Sequence, residues 1–351
     1  MKNKSCLLVV LLASLILSGC AGGSSSDDTI SVTDMLGETI EIKKNPSKVA
    51  CVSRTTYDLL IAFGLGDKID GAYKSIYSNP WVETIYPQSK NEYRYEYEEG
   101  YETFISRGVD LVFAPERYIA DGLKEHGIKA LNVSLYGNPS FDNYVYFFAD
   151  LVTKIWDYDS VKVKADAWKS KVKTAIDTVQ ADIIDVKESM SLFYVRGDKN
   201  KGIGYTDQVG SFTEFAYRAM GFDFVGSRMD TNTPSAEEIV SENPDVFVFG
   251  GIYQNTLMNT IKTTEPYLNL NAVKSNSLFN IPTGFTMFEQ LSAMTPVFFY
   301  DQANKLFPSV CAYDTKAMAK ELITENFGTE LTDQQVEYMF SGKDAEGNDL
   351  A

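Results

Sequence analysis

A single histidine, His126, stands among 351 residues, which makes it the scarcest of the side chains that usually carry chemistry. Histidine is the common general base at neutral pH and the commonest transition-metal ligand. One copy nearly rules out a serine–histidine triad or a multi-histidine zinc centre. The chain also lacks a Gly-x-Ser-x-Gly elbow, a phosphate-cradling Gly-x-x-x-x-Gly-Lys loop and a Cys-x-x-Cys pair. No catalytic residue and no resident metal ligand is expected, and the chain does not read as an enzyme. Cysteine is nearly as scarce: of four, Cys6 and Cys20 fall in the first twenty residues, leaving Cys51 and Cys311. Two cysteines make no disulfide framework. Cys51, inside Val49-Ala50-Cys51-Val52, reads as a buried inert thiol, and a bridge to Cys311 stays open. Positive charge is in deficit, with 32 Lys and Arg against 48 Asp and Glu, a net charge of −16 that becomes −18 without Lys2 and Lys4. Such a field repels phosphate backbones and anionic headgroups, so nucleic acid is excluded as a partner.

Long apolar runs are also missing. The run from Cys6 to Leu17 falls short of the roughly 20 residues that span a bilayer. Preceded by Lys2 and Lys4 and followed by Leu17-Ser18-Gly19-Cys20, it has the charged start, short apolar middle and small-residue exit of a secretory signal. A cysteine at the cleavage point resembles a bacterial lipoprotein lipobox. That implies removal of residues 1–19 and a lipid anchor on Cys20, with 20–29 as a polar tether.

Beyond the tether, strand-like runs alternate with helical patterns, which predicts an α/β fold. Strands are expected at Lys48 to Ser53, Asp110 to Ala114 and Ile128 to Val133, with Thr55 or Thr56 capping a helix that Gly64 ends. A second set follows at Met190 to Val195, Asp245 to Phe249 and Leu278 to Ile281, with a helix from Ser211 to Met220. Tyr101 to Phe113 can be laid on Ala236 to Val248: in each, a glutamate opens a short helix eight positions before the aspartate that starts an apolar strand. Such an echo predicts two similarly built lobes. Between them, Val161, Ala165, Trp168, Val172, Ala175 or Ile176, Val179, Ile183 and Val186 recur at spacings of four and three, predicting a helix from Ser160 to Lys187. It reads as a strut between lobes or as a dimerising coiled coil; the strut reading goes with a monomer. His126, before Gly127, reads as a helix C-terminal residue.

Taken together, Val32 to Ile42, Asn45 to Val49, Tyr57-Asp58-Leu59-Leu60 with Gly64 to Ile69, Gly210-Ser211-Phe212, Ala272 to Asn276 and the spanning helix resemble the helical-backbone class of ABC-importer binding proteins. The likeness runs from Ile30 to Phe307. It implies two Rossmann-like lobes joined by a single long interlobe helix: an N-terminal lobe at 30–157, the helix at 158–188, a C-terminal lobe at 189–308, then an extension at 309–351. The class serves ferric siderophores, haem, cobalamin and oxyanions such as molybdate or tungstate. A ferric siderophore is the expected cargo, the others remaining alternatives, with an ABC permease and its ATPase as partners. One departure is Gly108-Val109-Asp110, where the class usually has Lys-Pro-Asp. Another is the extension, in which a capping box at Thr332 to Gln335 predicts a helix on one lobe and Asp344 to Asp349 reads as a frayed tail.

In open α/β lobes a ligand gathers beyond the carboxyl ends of the strands. Arg54 and Tyr57, then Arg117 and Tyr118, follow the first lobe's strands; Arg196, Tyr253, Phe285 and Met287 follow the second's. Tyr205 and Arg228 lie on facing loops, and Trp81 and Tyr95 in a loop-rich segment. Arginine forks match anionic oxygens and aromatic rings make flat walls, a combination suited to an anionic metal chelate. By position Glu102 and Glu237 match the two lobe-surface glutamates with which the class docks on its permease.

Overall fold

The computed structural model describes residues 29–133, 141–186 and 190–351. The signal, Cys20, most of the tether and Lys187 lie outside the described residues. None of the helices described is long and apolar enough to cross a membrane.

The described chain opens with an antiparallel hairpin, β1 (Thr29–Thr33) and β2 (Thr39–Lys43). A five-stranded parallel sheet follows, built from β3 (Val49–Cys51), β4 (Ile69–Tyr73), β5 (Tyr93–Tyr95), β6 (Leu111–Ala114) and β7 (Ala130–Asn132) in the order β5-β4-β3-β6-β7. A four-stranded parallel sheet contains β8 (Ser191–Val195), β9 (Asp223–Phe224), β10 (Val246–Phe249) and β11 (Leu278–Asn280) in the order β11-β10-β8-β9. Parallel strands are covered on both faces, which is why β6 and β10 are unbroken apolar runs, buried throughout. β4, β5 and β9 were not expected. Asp70 and Gly71 give β4 poor strand propensity, β5 sits in a tyrosine-rich stretch that reads as loop, and β9 has two residues. The first helix begins at Arg54 with Ser53 as its cap residue, correcting the expected cap at Thr55 or Thr56.

The internal echo is physical. Helix Tyr101–Arg107 ends at Gly108 and helix Ala236–Glu242 at Asn243, both in the left-handed conformation. Each is followed by an aspartate that clamps the neighbouring strand. Asp110 accepts the Ser47 backbone N–H and hydroxyl, both at 2.8 Å, beside the start of β3. Asp245 accepts the same two groups of Ser191, also at 2.8 Å, at the start of β8. One side chain per lobe thus sets the register of the two central strands.

Helix Asp159–Ile183 buries Val161, Ala165, Trp168, Val172, Ala175, Ile176, Val179 and Ile183, the expected stripe, while Val186 is exposed. At 25 residues it is about 37 Å long. Its stripe packs on helix Thr295–Leu306 and helix Phe141–Ile155, so the surface that a coiled coil would use is covered within the chain. The lobes are joined by far more than this helix. One continuous apolar core contains Phe113 of the first sheet, Trp168 of the helix, Val248 of the second sheet and Met339 of the extension. Segment 282–294 runs between the lobes: Asp58 accepts the Ala293 N–H at 2.7 Å, and Asn79 donates to the Gly284 carbonyl at 2.8 Å.

The extension packs across both lobes and not on one. Helix Thr315–Phe327 lies against helix Arg54–Ala62 and helix Thr295–Leu306. Helix Asp333–Phe340 starts with the expected capping box of Thr332 and Gln335. Asp344 to Asp349, expected to fray, belong with Lys343 to a closed turn: Lys343 bridges to Asp349, and Asp344 Oδ1 accepts the backbone N–H groups of Glu346 and Asn348 at 3.0 and 2.8 Å. The indole N–H of Trp81, in the first lobe, donates to the Lys343 carbonyl at 2.7 Å. Asn255, in the second, donates to the carbonyls of Ser341 and Gly342. Cys51 and Cys311 are buried free thiols. His126 follows helix Arg117–Glu125, its ring stacked on Tyr101 at 3.8 Å.

Asp58 is 1% exposed, and burial pushes its carboxyl up to about 7 from 3.8, although the Ala293 N–H and Thr286 hydroxyl pull it down. A raised acid favours folding fully below its unfolded value and loses that contribution as pH climbs to the folded one. Asp58→Asn keeps an acceptor for Ala293 and removes the titration. The difference in Tm, variant minus wild type, is expected to increase from about pH 4 to about pH 7 and level off above. Calorimetric scans at a series of pH values check this; parallel curves would show that Asp58 stays ionised.

Candidate ligand-binding cleft

Each parallel sheet has a switch point where successive crossovers leave in opposite directions, and the loops there part to leave a crevice. In the first sheet it lies between β3 and β6, in the second between β8 and β10. A cleft of about 650 Å³ lies over both. Ser53 and Arg54 after β3, with Pro115 and Glu116 after β6, form one wall; Arg196, Gly197 and Asp198 after β8, with Gly251 and Ile252 after β10, form the other. Tyr73, Tyr97 and Tyr205 supply aromatic surface, and the interlobe segment contributes Met287, Glu289 and Gln290 to the floor.

Arg54 donates from Nη2 to the Ser75 carbonyl at 2.8 Å and its hydroxyl at 3.1 Å. Both partners are neutral, so the charge is held in place but not cancelled. Burial lowers the guanidinium to about 10, still protonated at neutral pH. Arg196 is differently held: Nη1 donates to Asp207 Oδ1 at 2.9 Å, and the guanidinium carbon sits 5.1 Å from the Tyr205 ring centre. Asp207 is fixed in turn by the Thr213 hydroxyl at 2.7 Å. Glu289, 5% exposed, accepts the Gly251 N–H on Oε1 at 2.6 Å, whereas Oε2 has no hydrogen-bond partner. Burial pushes this carboxyl up to about 7. The loops after β8 and β10 meet at glycines. A Cβ on Gly197, whose φ is +66°, would lie 1.9 Å from the Gly250 carbonyl oxygen.

No protein-family model matches the chain. YvrC of Bacillus subtilis, an uncharacterized ABC transporter substrate-binding lipoprotein, is 24% identical over 292 residues, covering 78% of this chain and 87% of its own. The molybdate-bound periplasmic binding protein MolA of Haemophilus influenzae superposes with a TM-score of 0.72 at 15% identity, covering 86% of this chain and 99% of that one. The ABC-type Fe3+-hydroxamate transport system structure from Saccharomonospora viridis gives 0.62 at 15% identity, covering 79% and 98%. The fold is that of the periplasmic solute-binding proteins.

Within this solute-binding fold the cleft gathers four of the twelve expected ligand residues: Arg54, Arg196, Tyr205 and Met287. The others lie elsewhere. Tyr57 and Phe285 stack on each other at 5.4 Å in the interlobe core, and the Tyr57 hydroxyl donates to Glu92 at 2.6 Å. Trp81 is buried beneath the extension. Tyr95, on the edge strand, stacks on Phe104 and donates to Asp70 at 2.6 Å. Arg117 and Tyr118 open a helix and point to solvent, with the Tyr118 hydroxyl on Glu98 at 2.7 Å. Arg228 is exposed and paired with Asp223 and Glu242. Tyr253 packs on the outer core of the second lobe. Glu102 and Glu237 are exposed in the first turns of their helices, one per lobe. Reading the sequence for arginine and tyrosine passed over Glu116, Asp198, Asp207 and Glu289. Nor did it suggest Leu350, which reaches the cleft from the extension.

Gly197→Ala is expected to cost more than Gly202→Ala. Both glycines have positive φ, +66° and +64°, but a Cβ at Gly202 meets nothing within 4 Å. Strain alone is worth about 1 kcal/mol, and collision with backbone raises the Gly197 loss to about 3 kcal/mol or more. Urea unfolding of both variants decides it, equal midpoints counting against the clash.

Proposed function

We propose that this chain is the extracytoplasmic, lipid-anchored solute-binding component of an ABC importer, and that its cargo is a ferric siderophore held between the lobes. The observation that carries the cargo reading is the size and lining of the cleft. At about 650 Å³ it falls in the range of organic-ligand sites, about 300–1,000 Å³, and far exceeds a tetrahedral oxyanion. Tyr73, Tyr97 and Tyr205 offer flat walls of the kind a bulky chelate needs, and Arg54 offers a fixed guanidinium for a ligand oxygen. The fold alone does not choose among cargoes, since proteins named for molybdate and for Fe3+-hydroxamate share it. Anchoring through Cys20 rests on the sequence of the signal, and the likeness to a substrate-binding lipoprotein supports it.

Delivery requires a permease to recognise both lobes at once. The docking reading of Glu102 and Glu237 is supported by their exposure in corresponding first turns, one on each lobe. Such carboxylates meet permease arginines as charge-assisted pairs.

Two experiments follow. Intrinsic fluorescence of the protein, titrated with ferric siderophores, haem, cobalamin and molybdate, is expected to show saturable quenching by a ferric siderophore. Saturation by molybdate alone would sink the cargo reading. The double variant Glu102→Ala, Glu237→Ala is expected to lower uptake by cells at least tenfold with ligand affinity unchanged; a fall in affinity would place these residues in binding and not in docking.

A further inference from the structure

We propose that the cleft selects by charge, accepting a neutral or positively charged ferric chelate of the tris-hydroxamate kind and rejecting a tris-catecholate trianion. The inference rests on the siderophore reading above and deepens it. Six charged side chains line the cleft, the guanidiniums of Arg54 and Arg196 against the carboxyls of Glu116, Asp198, Asp207 and Glu289. Asp207 holds Arg196 at 2.9 Å and offsets it. Setting Arg54 against Glu116, across the β3–β6 switch point, leaves Asp198 and Glu289, both on the C-terminal-lobe side. Asp198 spends Oδ1 on its own turn, accepting the backbone N–H groups of Asn200 and Lys201 at 2.9 and 3.0 Å. Glu289 is nine-tenths buried at the floor with an oxygen that meets no donor. Lys201 leans on a lining ring, 3.9 Å from the Tyr205 ring centre, and offsets one of these two carboxyls; Lys199 lies 6.0 Å from the Tyr253 ring centre, outside the lining.

The cations at the cleft are thus matched by carboxyls, leaving no positive excess, while Glu289 Oε2 is available to a ligand donor. Chelate chemistry sorts on the same axis. Three hydroxamate monoanions on Fe(III) leave no net charge, and their backbones carry amide or amine N–H groups; three catecholate dianions leave a trianion. A trianion entering a cleft whose cations are already matched by carboxyls finds no counter-charge at low effective dielectric, and the net charge of −16 opposes its approach from afar.

The test titrates the protein, by tryptophan quenching at low and at physiological salt, with ferrioxamine B and with ferric enterobactin. The first is a tris-hydroxamate bearing a protonated amine; the second is a tris-catecholate. Ferrioxamine B is expected to bind at least tenfold tighter, with the gap narrowing as salt rises. Asp198→Asn, which keeps the turn's acceptor, and Glu289→Gln are each expected to shrink the gap severalfold, with unfolding midpoints showing that both variants fold. Tighter binding of enterobactin would overturn the charge selection and leave the siderophore reading standing. Binding of neither would overturn the siderophore reading and this inference with it. A preference for ferrioxamine B that neither variant alters would remove the carboxylates as its cause.

Discussion

The structure depends first on the polar weld between the lobes. Asp58 and Asn79 belong to the N-terminal lobe, are almost wholly buried, and satisfy backbone groups of segment 282–294. A buried backbone N–H or carbonyl without a partner costs a few kcal/mol, so these contacts fix how the segment threads between the lobes. Around them Tyr57, Phe285 and Phe327 close an aromatic seam, with Phe285 and Phe327 4.8 Å apart. Because the same segment carries Met287 and Glu289 into the cleft, the floor of the site and the joint between the lobes are one object. Separating the lobes widely would strip partners from buried polar groups, so the movement consistent with this packing is small.

The skeleton was legible because its signals are local. A stripe at spacings of four and three gave helix Asp159–Ile183, and the paired Glu-to-Asp spacing marked the two lobes before their clamps on Ser47 and Ser191 were visible. The cleft was less legible, for a geometric reason. A helix starts after two intervening residues beyond β3 and again beyond β6, and which of its first residues faces the cleft depends on how the helix is set against its sheet. Arg54, at the first helical position, faces the cleft; Tyr57, three further on, is carried into the core. After β6 the corresponding first helical residue, Arg117, is exposed together with Tyr118, and Glu116, just before the helix, lines the wall instead. Aromatic side chains chosen for ligand chemistry were recruited instead by packing, as Trp81, Tyr95 and Phe285 were. The cleft carboxylates carry no local signal, being four among 48 acidic residues.

Asp207 explains why an arginine count overstated the positive character of the site. Arg196 leaves β8 toward the cleft, yet its charge is returned inward by Asp207, itself held by Thr213. What remains for a ligand is shape and direction: a planar group leaning over Tyr205, with two glycine loops behind it that admit no side chain.

The closed turn at residues 343–349 bears on the order in which the molecule is made. Trp81 and the carbonyl that accepts its indole proton are 262 residues apart, and Leu350 lines the same cleft as Arg54. As the chain emerges from its N-terminal end, the first lobe must wait for 262 further residues after Trp81 before this tryptophan is satisfied. A chain stopped before Lys343 would carry a solvent-facing seam where the turn belongs, an obvious foothold for a protease. Completion of the binding site therefore waits on residues made long after the lobe whose tryptophan they cover.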